Sequence, residues 1–123
     1  MAPQHSPAFL KLVQDTKARV KECTVDDMKA RLARNDKFSL IDVREESEFA
    51  AGHIPGAVHI AYHDLREPPA VLDRGRPVAV LCSSGQRAAV GASLLQRHGF
   101  ERVLHVVEGG MPLWTRSGWP VEA

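Results

Sequence analysis

The chain has 123 residues, of which 44% are hydrophobic and 25% are charged. These values are ordinary for a single globular domain and exclude a disordered or fibrous protein. Sixteen Lys and Arg against fifteen Asp and Glu give a net charge of +1, and no basic run is long enough to follow a phosphate backbone. We therefore expect no nucleic-acid partner.

The N-terminal sequence predicts a helical extension over residues 1–20, ahead of a folded domain over residues 21–123. Apolar residues recur between 7 and 20 in a roughly helical period, and Pro7 suits a first helical turn. This segment lacks the apolar core of a signal peptide, and no stretch approaches the roughly 18 apolar residues of a membrane span. We therefore expect a cytoplasmic protein without a membrane partner.

Short apolar runs separated by helical segments predict the fold class. Thr24 ends a short strand at 21–24 and is placed to cap the helix that follows. Buried strands are predicted at 38–43, 57–60, 77–82 and 102–107. A helical pattern over 88–100, which Gly99 would end, implies a parallel crossover. The sequence thus predicts one α/β domain with a mainly parallel sheet and helices on both faces.

A six-residue segment joins a predicted strand to this last helix: Cys82, Ser83, Ser84, Gly85, Gln86 and Arg87. Ligands bind beyond the carboxyl ends of strands in parallel sheets. Unpaired amides of a helix N-terminus and a short loop stabilise a thiolate there, which favours Cys82 as a nucleophile. The alternative is a cysteine packed as a small core residue.

Charged residues near the predicted strand ends have two interpretations. Arg87 either stabilises an anionic donor or the thiolate, or it forms a structural ion pair with Asp42 or Glu48. Asp42 and Arg44 are predicted to support the site as a strand-end scaffold, with Arg44 paired to Glu48 four residues later. Cys23 is predicted to be a packing residue. The two cysteines have no metal-ligand or disulfide spacing, so we expect no metal and no other cofactor.

Four motifs in order resemble the rhodanese homology domain over roughly residues 21–121. They are Asp42-Val43-Arg44 with Glu48-Phe49, Gly52-His53-Ile54-Pro55-Gly56-Ala57, Cys82-x-x-Gly85-x-Arg87, and Gly109-Gly110-Met111 with Trp114. The resemblance implies a five-stranded parallel α/β domain and a single-domain sulfurtransferase of the thiosulfate sulfurtransferase type. Cys82 would take a sulfane sulfur from a small donor and pass it, through a persulfide, to a thiol or cyanide acceptor.

Alternatives to this activity and to its donor stay open. One is a sulfur carrier or interaction module that receives sulfur from a partner in a sulfur relay. A phosphatase of the same fold is less favoured, because related phosphatases place five residues between cysteine and arginine and this chain has four. Ser83 and Ser84 provide hydroxyls where thiosulfate-preferring relatives often carry cations. A persulfide or mercaptopyruvate is therefore an alternative donor to thiosulfate.

Overall fold

The computed structural model describes residues 6–8, 10–11, 21–67, 69–83, 86–107 and 109–123. The described residues form five strands, which are β1 (Lys21–Thr24), β2 (Ser39–Asp42), β3 (Val58–His59), β4 (Val78–Leu81) and β5 (Val103–Val107). They also form the helices α1 (Val25–Ala33), α2 (Glu46–Ala51), α3 (Gln86–Arg97) and α4 (Gly110–Arg116), and a 3-10 helix at Tyr62–Arg66. Most of the predicted N-terminal helix lies outside the described residues.

The five strands make one parallel sheet in the order β1-β5-β4-β2-β3. This confirms the predicted five-stranded parallel architecture. Neighbouring strands β2 and β4 pair Asp42 with Leu81, and the N–H of Val43 donates to the carbonyl of Leu81 over 2.9 Å. The carboxyl ends of the two strands therefore bring Asp42 and Cys82 to the same edge of the sheet.

Helices cover both faces of this sheet, as predicted. Alternate strand residues point to opposite faces, so Ile41 and Val80 pack into one buried cluster and Leu40 and Leu81 into another. The first cluster includes Ala88, Ala92 and Leu95 of α3, and the second includes Val25 and Met28 of α1 with Met111 and Trp114 of α4. None of the helices in the described part of the chain is long and apolar enough to cross a membrane.

The helix boundaries follow the capping residues seen in the sequence. Thr24 forms a capping box at the start of α1, in which its Oγ1 accepts from the N–H of Asp27 over 3.0 Å. Gly99 lies two residues beyond the end of α3 at a φ of +92°, which confirms its predicted role as the left-handed stop.

The predicted buried strand at 57–60 is wrong in its burial. β3 is short, and among the described strands it pairs with β2 alone; Val58 is 38% exposed. A short run that is mostly apolar does not distinguish a central strand from an edge strand, because both contain β-branched residues.

Candidate active site

Cys82 follows β4 directly and is fully buried. Its Sγ accepts a hydrogen bond from the backbone N–H of Ala88, with 3.4 Å between nitrogen and sulfur. Ala88 is the third residue of α3, so this N–H belongs to the first helical turn, whose amides lack partners within the helix. The positive end of the helix dipole reinforces the contact, and the arrangement can stabilise negative charge on sulfur.

The rest of the predicted loop is described in part. Ser83 is half-buried, and its hydroxyl donates to Oε2 of Glu48 over 3.3 Å. Gln86 and Arg87 are the first two residues of α3. Ser84 and Gly85 lie outside the described residues, so their predicted places in the loop stay predictions.

Arg87 makes a bidentate ion pair with Glu48 of α2. Its Nη1 lies 2.6 Å from Oε1 and its Nη2 lies 3.1 Å from Oε2. The hydrogen bonds from Arg87 hold the pKa of Glu48 at about 2, well below its usual value of 4.5, against the opposing effect of burial. The same pair raises the pKa of Arg87. Of the two structural partners considered for Arg87, the structure places Glu48 in contact, and the pairing with Asp42 is wrong.

Asp42 is paired instead with Arg44, and both side chains are buried. The Nη2 of Arg44 lies 2.7 Å from Oδ2, and its Nε and backbone N–H also donate to the same carboxylate. Nη2 donates further to the carbonyl of Gly52 over 2.8 Å. The predicted pair of Arg44 with Glu48 is therefore wrong, because the guanidinium folds back onto the aspartate two residues earlier.

The glycine pair after β5 fixes α4 against the loop. Gly110 has a φ of +50°, and a Cβ added there would overlap the carbonyl oxygens of both Cys82 and Ser83. The N–H of Met111 donates to the carbonyl of Cys82 over 3.1 Å. This contact had no direct signal in the sequence. Two glycines at the carboxyl end of a predicted strand are nevertheless typical of close backbone approach.

Residues from three segments line a cleft of about 380 Å³ that opens beside Ser83. They are Arg44 and Ser83 together with Met111, Pro112, Thr115 and Arg116 of α4. No motif in the sequence predicted that α4 borders the site. Its position depends on the contact with Cys82, which lies about thirty residues earlier in the chain.

His53 has a structural environment. Its ring stacks on Phe49 at 3.8 Å between centroids, and Nδ1 lies 2.9 Å from the carbonyl of Phe49. The backbone of His53 forms two hydrogen bonds of 2.8 Å with Glu122 near the C-terminus. These contacts fix the turn that follows α2.

Cys23 lies in a different environment from Cys82. It packs in the core cluster on the other face of the sheet, and burial raises the pKa of its thiol to about 11. A thiol with this pKa is protonated near neutral pH, so its environment does not favour a nucleophile.

Comparison with known proteins agrees with the geometry. Residues 24–117 match the family model described as a rhodanese-like domain. A protein of Allochromatium vinosum named sulfurtransferase is 32% identical over 104 residues, which cover 85% of this chain and 96% of that protein. Thiosulfate sulfurtransferase GlpE from Pseudomonas aeruginosa is 33% identical over 93 residues, which cover 76% and 83% of the two chains.

A solved structure gives the same result for the fold. The rhodanese-related protein from Thermoplasma volcanium superposes with a TM-score of 0.70 at 29% identity, over 83% of this chain and 97% of that one. The matched family model covers most of the chain, and the named relatives support sulfurtransferase activity in the broad sense. The chain therefore belongs to the family of rhodanese-like domains.

Proposed function

We propose that this protein is a sulfurtransferase of the thiosulfate type that carries a sulfane sulfur as a persulfide on Cys82. The observation that carries the proposal is the hydrogen bond from the Ala88 amide to Sγ of Cys82, at the N-terminus of α3 and beyond the end of β4. Amide donors at a helix N-terminus stabilise a thiolate, and the thiolate is the reactive form of cysteine.

The reaction proceeds by two displacements. The Cys82 thiolate attacks the outer sulfur of thiosulfate, an S–S bond forms, and the original S–S bond breaks as sulfite leaves with the electron pair. Cyanide or a thiolate then attacks the terminal sulfur of the persulfide, and the Cys82 thiolate leaves. Cys82 is buried, and the cleft beside the next residue, Ser83, is the proposed route for donor and acceptor.

The surrounding residues position the loop in this proposal. Arg87 ties the start of α3 to Glu48, and Ser83 donates to the same carboxylate. Asp42 and Arg44 form a second buried pair at the end of the adjacent strand. Ser84, Gly85 and Gln86 are proposed to complete the loop around the sulfur, on the strength of their sequence positions.

The experiment measures persulfide formation and turnover in Cys82→Ser, with Cys23→Ser as the matched control. After thiosulfate treatment, intact mass should rise by one sulfur atom in the parent protein and in Cys23→Ser, but not in Cys82→Ser. Transfer to cyanide should fall to background in Cys82→Ser, because a serine hydroxyl cannot hold a persulfide.

The outcomes separate the competing functions. Activity retained in Cys82→Ser, or lost equally in Cys23→Ser, would contradict the assignment. A persulfide that forms on Cys82 but passes to neither cyanide nor a small thiol would favour the sulfur carrier instead. Release of phosphate from an aryl phosphate, without persulfide formation, would favour the phosphatase.

A further inference from the structure

The charges around the cleft are unequally compensated. The guanidinium of Arg44 is buried against Asp42, and that of Arg87 is held by both oxygens of Glu48. Each of these two cations is therefore neutralised at short range by its own carboxylate. Neither leaves an uncompensated positive charge for an incoming anion.

Arg116 differs from both of these arginines. It is exposed, it ends α4, and it lines the cleft beside Ser83. None of the carboxylates in the described part of the chain forms an ion pair with it. Its positive charge is therefore the one at the cleft that no described side chain neutralises.

The placement of α4 puts this charge on the cleft beside Ser83. Thr115 and Arg116 lie three and four residues after Pro112, one helical turn further along α4, and all three line the cleft. The other end of α4 is fixed to the loop, because the N–H of Met111 donates to the carbonyl of Cys82. The helix thus contacts the backbone of Cys82 at one end and carries at the other a cation that no described carboxylate pairs with.

We propose that Arg116 is a specificity-determining residue, which favours sulfur donors that carry an anionic group next to the transferred sulfur. This inference rests on the proposed function and adds the chemical class of the donor. The guanidinium attracts the sulfonate group of thiosulfate at the mouth of the cleft. It also stabilises the charge of the sulfite that leaves as the persulfide forms.

The test compares Arg116→Gln with Arg97→Gln, which removes the same charge from an exposed position at the far end of α3. Values of kcat/KM are measured for thiosulfate and for an uncharged alkyl persulfide. In Arg116→Gln we expect about a fivefold loss for thiosulfate, the upper range for an exposed charge pair, and less than twofold for the uncharged donor. Arg97→Gln should change neither by more than about twofold.

A second readout does not depend on sulfur transfer. Iodoacetate and iodoacetamide are alkylating reagents of similar size, and only iodoacetate is negatively charged. The rate at which iodoacetate alkylates Cys82, divided by the rate for iodoacetamide, should fall about threefold in Arg116→Gln and stay unchanged in Arg97→Gln. Added salt should reduce the ratio in the parent protein more than in Arg116→Gln.

The possible results separate this inference from the proposed function. Equal losses for both donors, or an unchanged alkylation ratio in Arg116→Gln, would overturn the role of Arg116 while persulfide formation still stands. If no donor forms a persulfide on Cys82, the proposed function fails and the donor class fails with it. A selective loss for thiosulfate together with a lower alkylation ratio supports both.

Discussion

Replacing Arg87 with lysine tests whether this arginine fixes the loop or binds the donor. The substitution keeps the positive charge but removes the planar fork that reaches both oxygens of Glu48, at 2.6 and 3.1 Å. A lysine ammonium can restore one of these contacts. Glu48 also accepts a hydrogen bond from Ser83. Loss of the bidentate contact therefore weakens the contacts that connect α2, the loop and the start of α3.

The magnitude follows from the pair itself. The drop in the pKa of Glu48 from 4.5 to about 2 corresponds to at most about 3 kcal/mol. Solvent screening reduces this to about 1–2 kcal/mol, because the two side chains are 21% and 34% exposed. A lysine at this position should recover about half of this stabilisation. We therefore expect Arg87→Lys to lose about 1 kcal/mol of unfolding free energy and about 4 °C in Tm.

The assay combines thermal unfolding with kcat/KM for thiosulfate and for an uncharged persulfide, and Arg97→Lys is the control. We expect losses of about tenfold for both donors, because a displaced loop misplaces the sulfur whatever the donor. Unchanged Tm with a loss confined to thiosulfate would refute this reasoning. Arg87 would then be a donor-binding residue.

Two further substitutions test the supports of the site. Glu48→Gln should be less stable than the parent by about 1–2 kcal/mol near neutral pH. Because the folded-state pKa of Glu48 lies below its usual value of 4.5, this difference should be complete above pH 4.5 and disappear as the pH falls toward 2. Urea unfolding across this pH range measures it, and a constant difference would contradict the ion pair. Gly110→Ala should cost about 3 kcal/mol and abolish transfer, because its Cβ overlaps the carbonyls of Cys82 and Ser83. Gly118→Ala, at a φ of +76° with open space around it, should cost about 1 kcal/mol and keep activity; equal effects would refute the close contact at Gly110.

The sequence predicted the sheet well because parallel strands are buried on both faces. Their continuous apolar runs, as in β4, stand out from the helical segments between them. The error at β3 has the same origin. Its residues resemble those of a central strand, and only its pairing with β2 alone shows that Val58 is at an edge.

The four charged residues predicted near the strand ends form two ion pairs, but the partner of Arg87 was left open by the sequence and the predicted partner of Arg44 was wrong. The sequence places two acids and two arginines near the same edge of the sheet. Which acid meets which arginine depends on side-chain directions after folding. The N–H of Arg44 binds Asp42 two residues earlier, which turns that guanidinium back and leaves Glu48 to Arg87. Local hydrogen bonding of an aspartate to the backbone two residues on is a signal that could have indicated this.

Three separate elements hold Cys82, and this limits where donor preference can be set. The Ala88 N–H of α3 donates to its Sγ, and the Met111 N–H of α4 donates to its carbonyl. The N–H of Val43, just beyond β2, donates to the carbonyl of the preceding residue, Leu81. Changes in any of these contacts move the nucleophile, so they should affect all donors together. The rim of the cleft has no such constraint, because Thr115 and Arg116 are exposed. Selectivity between donors can therefore change at the rim while the chemistry at the sulfur stays the same.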